Sequence, residues 1–230
     1  IRDSFECVEL GKINQASPFP PQLKGQPGAD EYTREALDKG ITPSDIMNLA
    51  LIPAMNKVGQ KFSENKIFVP QMLLSAKAMN TSLVHLKPFF SSGEVKRKGT
   101  FILGTVFGDL HDIGKNLVGM MVEGSGWEVI DLGVDVKTEK FLETLQRYPD
   151  AVVGMSALLT TTMTNMEPII QAIKEVSPQT KVIVGGAPLT PDFARSIGAD
   201  AYGSDPQDDV VWLESLAVSY THLRAHETSA

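Results

Sequence analysis

The chain has 230 residues, 42% hydrophobic and 21% charged, which describes an ordinary soluble protein with room for one large domain or two small ones. Its formal net charge of -7 argues against nucleic acid as a main partner, and no apolar run reaches the roughly 20 residues needed to span a bilayer. The single cysteine, Cys7, excludes an internal disulfide, and no signal-peptide pattern is visible, so a reducing, cytoplasmic setting is expected.

In chain order, Arg2 to Asn14 reads as a short helix. Residues 15–30 carry Pro18, Pro20, Pro21 and Pro27, a density that excludes a regular helix and predicts an ordered connector. Glu31 to Lys39 is helical in composition, and Gly40 supplies a C-cap. Thr42 and Pro43 mark the next start, an N-cap with proline in the first turn. Ile46, Leu49, Ala50, Pro53, Ala54, Val58 and Phe62 then recur near the helical period, with a kink expected at Pro53. After a polar turn at Ser63 to Lys66, Val69 to Lys87 forms an amphipathic helix with Met72, Leu73, Ala76, Met79, Leu83 and Leu86 inward. Residues 31–90 are therefore expected to form a four-helix bundle, preceded by the helix and Pro-rich connector of residues 1–30.

Residues 91–98 are polar and basic and read as a linker. From Gly99 the pattern alternates. Strands are predicted at 100–107, 127–131, 151–156, 181–185 and 200–202, and helices at 114–124, 138–147, 163–176, 191–197 and 207–217. This predicts an α/β domain over 99–217: a flavodoxin-like (Rossmann-like), doubly wound, five-stranded parallel sheet of order 2-1-3-4-5. Residues 218–230 have no core period and resemble translated adapter sequence, so they are set aside as a non-native tail. His222 and His226, which have metal-ligand spacing on a helix, are set aside with them.

Ligands of such sheets sit at the carboxyl ends of the strands. Asp109 and His111 follow the first strand there, Ser156, Thr160 and Thr162 the third, Gly185 and Gly186 the fourth, and Tyr202 to Asp205 the fifth. The first of these loops, Gly108-Asp109-Leu110-His111-Asp112-Ile113-Gly114, fits neither common nucleotide fingerprint. It lacks G-x-G-x-x-G, and five residues separate Gly108 from Gly114 where a P-loop needs four, with Asn116 in place of Ser or Thr. What remains is D-x-H-x-x-G. A metal-bound imidazole usually gives its other N–H to a carboxylate, and Asp109 is near enough to take it. Gly114 lets a bulky ligand approach the start of the helix. Helix capping is the competing role for Ser156, Thr160 and Thr162, and a tight turn for the glycine pair.

The stretch GTVFGDLHDIGKNLVGMMVEGSGWEVIDLGVDV, followed by VVGMSALLTTTM and VIVGGAPLT, resembles the cobalamin-binding domain of methionine synthase and of methyltransferase corrinoid proteins. The upstream run LIPAMNKVGQKFSENKIFVPQMLLSAKAMN resembles the helical cap before that domain. The resemblance spans about Glu31 to Leu216. It implies cobalamin (as methylcobalamin or cob(I)alamin) bound base-off and His-on, with His111 as the lower cobalt ligand. Asp109 and Thr162 would complete the hydrogen-bonded chain behind it. Gly108, Leu110, Asp112 and Gly114 would shape the loop around the cofactor, Ser156 and Thr160 would hold the displaced base, and Gly185 and Gly186 would make room for the nucleotide tail. Phe62 and Val69 would cover the methyl-bearing face.

The implied function is a methyl carrier between a substrate-specific methyltransferase and a second one that serves tetrahydrofolate or a thiol, with a corrinoid reactivase as a further partner. Three alternatives share parts of the pattern. A cobalamin-dependent sensor has the cap and sheet, but normally adds a DNA-binding domain. The small domain of an adenosylcobalamin mutase has D-x-H-x-x-G, but lacks MNKVGQKF and VPQM. A flavodoxin-like scaffold leaves the converging motifs unexplained.

Overall fold

The computed structural model describes residues 1–91 and 95–227. Residues 92–94 of the expected linker, residues 228–230, and the side chains of residues 218–227, with His222 and His226, lie outside the described residues. The chain forms two compact units, Ile1–Arg97 with Glu123–Gly126, and Lys98–Val122 with Trp127–Ala230.

The first unit is helical. Helix α1 (Arg2–Leu10) stops at Gly11, earlier than the expected Asn14, and packs against α2 (Ala29–Asp38), α4 (Ile52–Ser63) and α5 (Val69–Ser91). The Pro-rich segment is pinned at both ends. The fully buried Lys12 donates from Nζ to the Ser17 carbonyl at 2.9 Å. Glu31 accepts from Gly28 N–H at 2.8 Å and from Gln15 N–H at 3.0 Å, so one carboxylate caps α2 and anchors the connector.

Thr42 and Pro43 start helix α3 (Pro43–Ile46) as expected, with the threonine hydroxyl accepting from Asp45 N–H at 3.0 Å. The irregularity expected at Pro53 falls one turn earlier, as a π turn over Met47–Leu51. Proline has no N–H to give back to the Leu49 carbonyl, so the turn ahead of it widens. On α5, Met72, Ala76, Met79, Leu83 and Leu86 are buried as expected, but Leu73 is 40% exposed, beside the core stripe rather than in it.

The second unit is a five-stranded parallel sheet of order β2-β1-β3-β4-β5, with strands β1 (Thr100–Thr105), β2 (Glu128–Asp131), β3 (Val152–Ser156), β4 (Val182–Gly185) and β5 (Ala201–Gly203). This is the order predicted from the alternation. Helices α6 (Ile113–Gly124), α7 (Thr138–Arg147), α8 (Met166–Val176), α9 (Pro191–Ser196) and α10 (Pro206–Glu227) connect and follow the strands. Phe101 to Thr105 are all buried, as a parallel strand covered on both faces requires. Ile102, Phe141, Val153, Met155, Ile169, Ile173 and Val184 pack into one core, each such side chain contributing about 1.5–3 kcal/mol. β1 ends at Thr105, two residues short of expectation, where the chain turns into the D-x-H-x-x-G loop. α10 runs on to Glu227 rather than stopping at Ala217, since no glycine or proline follows Pro206.

Candidate functional site

The loop after β1 is built by its own polar groups. Gly108 has φ of +81°, a conformation that side-chain-bearing residues rarely adopt, and its N–H donates to Asp135 at 2.7 Å. The Thr105 hydroxyl donates to the His111 carbonyl at 3.0 Å, and Asn165 donates to the Phe107 carbonyl at 2.8 Å. Asp112 takes the Asn116 N–H on its carbonyl at 2.8 Å and the Asn116 side chain at 3.0 Å, which fixes the entry into α6.

Asp109 stands at the centre with no exposed surface. One oxygen accepts from the His111 ring Nδ1 at 2.7 Å and from His111 N–H at 3.1 Å. The other accepts from the Thr162 hydroxyl at 2.6 Å, Leu158 N–H at 2.8 Å and Leu159 N–H at 3.3 Å. Burial by itself would push the carboxyl pKa up. The bonds from Thr162, Leu158 and His111 outweigh burial and hold it well below the usual carboxylate range. Asp109 is therefore an anion and can only accept, so the proton of the 2.7 Å contact sits on Nδ1 of His111. In a neutral ring the lone pair is then on Nε2. The His111 side chain is 50% exposed, so this nitrogen is presented outward in one tautomer. Thr162 stands at an N-cap position but makes no capping bond; its hydroxyl serves Asp109 instead.

A cavity of about 660 Å³ opens beside this loop at the carboxyl ends of the strands, where the strand order reverses between β1 and β3. Of the residues singled out from sequence, Leu110, His111, Asp112, Gly114, Ser156, Gly185, Gly186 and all of Tyr202 to Asp205 line it. Gly186, at φ +135°, has its Cα so close to the Ala157 carbonyl oxygen that a Cβ would lie 1.9 Å from it. A Cβ at Gly114 would meet nothing within 4 Å, which leaves that side of the loop open. Gly108, Asp109 and Thr162 stand behind the lining, and Thr160 is exposed and not part of it. Phe62 and Val69, both half-buried, flank one turn of the helical unit, at the end of α4 and the start of α5.

Several contributors belong to no sequence motif. The N–H groups of Leu158 and Leu159 are backbone donors with no residue signature. Lys115, 2% exposed, reaches both oxygens of Asp131 at 2.6 Å and so ties the start of α6 to the end of β2. Asp209, 6% exposed, lies in the cavity wall at the start of α10. Its spacing, four residues before the buried Leu213, places an acid on the apolar face of a helix.

These features define an α/β ligand-binding domain with one carboxylate-oriented imidazole beside a deep cavity. Leu110, Ile113 and Leu158, each more than 40% exposed, give the cavity an apolar rim beside this single imidazole, a lining that suits a largely apolar ligand. Comparison with known proteins agrees. B12 binding domain models match residues 99–211 and 26–87. Trimethylamine corrinoid protein 1 of Methanosarcina acetivorans is 40% identical over 186 residues, 79% of this chain and 86% of the relative. Dimethylamine corrinoid protein 3 of the same organism is 37% identical over 191 residues, 81% of this chain and 90% of the relative. The methanol:cobalamin methyltransferase complex of Methanosarcina barkeri contains a chain that superposes with a TM-score of 0.79 at 27% identity, covering 94% of this chain and 78% of that one. The chain belongs to the B12-binding family, as a corrinoid-binding protein related to those of the trimethylamine type. The likeness is thus to these corrinoid proteins and not specifically to the methionine synthase cap.

Proposed function

We propose that the protein is a corrinoid-bound methyl carrier, the corrinoid subunit of a methyltransferase system rather than a complete enzyme. It receives a methyl group at a substrate-specific methyltransferase and presents it to a second one, whose acceptor is tetrahydrofolate or a thiol. The observation that carries this reading is the hydrogen-bonded chain Thr162–Asp109–His111 beside the 660 Å³ cavity. The names of the relatives, a trimethylamine and a dimethylamine corrinoid protein, support it.

When bound, the corrinoid supplies a cobalt that accepts a methyl group as a nucleophile and surrenders it to the next acceptor. The chain's own residues do the rest. His111, with its lone pair on Nε2, would be the residue that holds the cobalt, and the expected binding mode is base-off and His-on. Asp109 keeps the ring proton on Nδ1 and fixes the ring, and Thr162 fixes Asp109. The cavity would take the nucleotide base, with Ser156 in its wall and Thr160 nearby in the chain, and Gly185 and Gly186 would leave space for the tail. Phe62 and Val69, on the helical unit, would be the residues that shield the methyl group from water. A corrinoid reactivase is a further expected partner.

The test uses protein grown with ¹⁵N-histidine, reconstituted with unlabelled cobalamin and reduced to cobalt(II). If His111 is the lower ligand, the electron paramagnetic resonance lines change from nitrogen triplets to doublets on labelling. Triplets that survive labelling would mean that the cofactor's own base is still on cobalt.

A further inference from the structure

Two polar side chains in the cavity wall are more than nine-tenths buried, Lys115 and Asp209. Lys115 is satisfied by Asp131 and by Asn116, whose side-chain oxygen lies 2.7 Å away. Asp209 has no cation and no side-chain hydrogen-bond partner among the described residues; only its own N–H favours the charged form. Burial, then the nearby charges of Asp208 and Asp205, push its carboxyl pKa up to about 8. The carboxyl group is therefore held mostly neutral near pH 7, with one O–H to give and oxygens to accept.

The wall opposite leaves room for it. A Cβ at Gly203 would come within 2.5 Å of the Asp209 carboxyl oxygen, so the acid occupies space that a side chain on β5 would take. Gly203 pairs in register with Gly185, and both line the cavity. Leu103, Met155 and Ile183 give the wall its apolar part, and Tyr202, Ser204 and Asp205 also line it. A buried carboxyl in such a wall costs stability unless something that enters the cavity completes its hydrogen bonds.

We propose that Asp209 is a specificity-determining residue, which favours corrinoids whose nucleotide base carries a hydroxyl or amino group over those whose base edge carries only methyl groups. The proposal rests on the reading that the cavity receives the nucleotide tail. A hydroxylated or aminated base can both give to and accept from a neutral carboxyl. A dimethylated ring would leave the acid buried and unpaired, and that difference is what selects.

The experiment titrates the apo-protein with four corrinoids, followed by absorbance: those with 5-hydroxybenzimidazole, adenine or 5,6-dimethylbenzimidazole as base, and cobinamide, which has no nucleotide. The parent should bind the hydroxy or amino forms roughly 3–10-fold more tightly than the dimethyl form, the effect of about one hydrogen bond. Asp209→Ala should lose this preference and bind the dimethyl form at least as well as the parent does. Asp209→Asn, which still gives and accepts, should keep part of it and guards against a folding defect in the alanine variant. Tight binding of all three complete corrinoids with no preference in the parent, or a preference that survives in Asp209→Ala, would overturn the proposal alone; a bond from Asp209 to the shared ribose would give the first of these results. If cobinamide binds as well as the complete corrinoids, the tail does not enter the cavity, and the site reading and this proposal fail together.

Discussion

Replacing Asp109 by Asn tests the reading of the site most sharply. The substitution keeps size and shape and changes one carboxylate oxygen to an NH2 group. On the side of Oδ2 that NH2 would face the Thr162 hydroxyl and the N–H groups of Leu158 and Leu159, at 2.6, 2.8 and 3.3 Å. On the side of Oδ1 it would face His111 N–H and the ring Nδ1, at 3.1 and 2.7 Å. The second orientation pits it against fewer donors, because an imidazole can make Nδ1 an acceptor by moving its proton to Nε2. That shift removes the lone pair from Nε2, the nitrogen proposed above to bind cobalt. Hydrogen bonds to charged groups contribute roughly 1.5–3 kcal/mol each, and a stranded buried donor costs about 1–3 kcal/mol. With the fully buried Asp109 and one N–H left facing an N–H, the apo-protein should lose about 2–4 kcal/mol in urea unfolding at pH 7.

The pH dependence follows from the lowered pKa. Folding depresses the Asp109 pKa, so its contribution is complete above the unfolded value near 4 and is lost as pH falls through the folded value. The stability gap between parent and Asp109→Asn should be flat above about pH 5 and narrow below about pH 4. In the holo-protein, methyl-transfer rate should fall by about 10–100-fold and more than cobalamin affinity does, and the histidine-derived doublets should weaken. A variant that unfolds within about 1 kcal/mol of the parent and keeps its doublets would refute the argument that Asp109 sets the tautomer.

Asp209 has the opposite sign. Its folded pKa of about 8 lies above the unfolded value, so stability is greatest below about pH 4 and falls by about 1.4 kcal/mol per unit as pH rises toward 8. Asp209→Asn should therefore melt higher than the parent at pH 8, with the difference gone by about pH 4; a difference that does not vary with pH would count against a buried neutral acid. Phe62→Ala should speed photolysis of bound methylcobalamin with a small change in apo-protein melting, whereas a loss of roughly 3–5 kcal/mol with unaltered photolysis would leave Phe62 as bundle core. A chain ending at Ala217 should bind cobalamin with the parent's affinity and melt within a few degrees of it, and a large loss in either would make the residues beyond Ala217 part of the fold.

The strands were legible because burial on both faces leaves a parallel strand almost no polar positions, as Phe101 to Leu103 show. The loop was legible because its main interaction is local: Asp109 and His111 are two residues apart, and their bond needs no tertiary information beyond a turn. The helical unit was less so. A 3.6-residue period does not tell Leu73, 40% exposed, from its buried neighbour Met72, since the width of the covered stripe is set by what packs on it. The donors from Leu158 and Leu159 were out of reach for another reason. They are backbone groups that arrive from 49 and 50 residues away, and any residue there would supply them.

The two buried carboxylates show where local sequence does carry the electrostatics. Asp109 and Asp209 are both at most 6% exposed, and burial alone would raise both pKa values. They diverge through their neighbours. Asp109 has an imidazole two residues on and turns its oxygens toward five donor groups, so the anion is the stable form. Asp209 has Asp208 beside it and Asp205 a turn before, so nearby charge adds to burial and the acid form is the stable one. An anion behind a histidine holds a ring in one tautomer and gains by being fixed. A neutral acid in an apolar wall has unused hydrogen-bonding capacity, and that capacity matters only to a molecule that enters the cavity. A carboxylate fixed behind His111 and a neutral acid in the cavity wall would suit a site that, as proposed, holds a metal through one side chain and selects among the cofactors that enter.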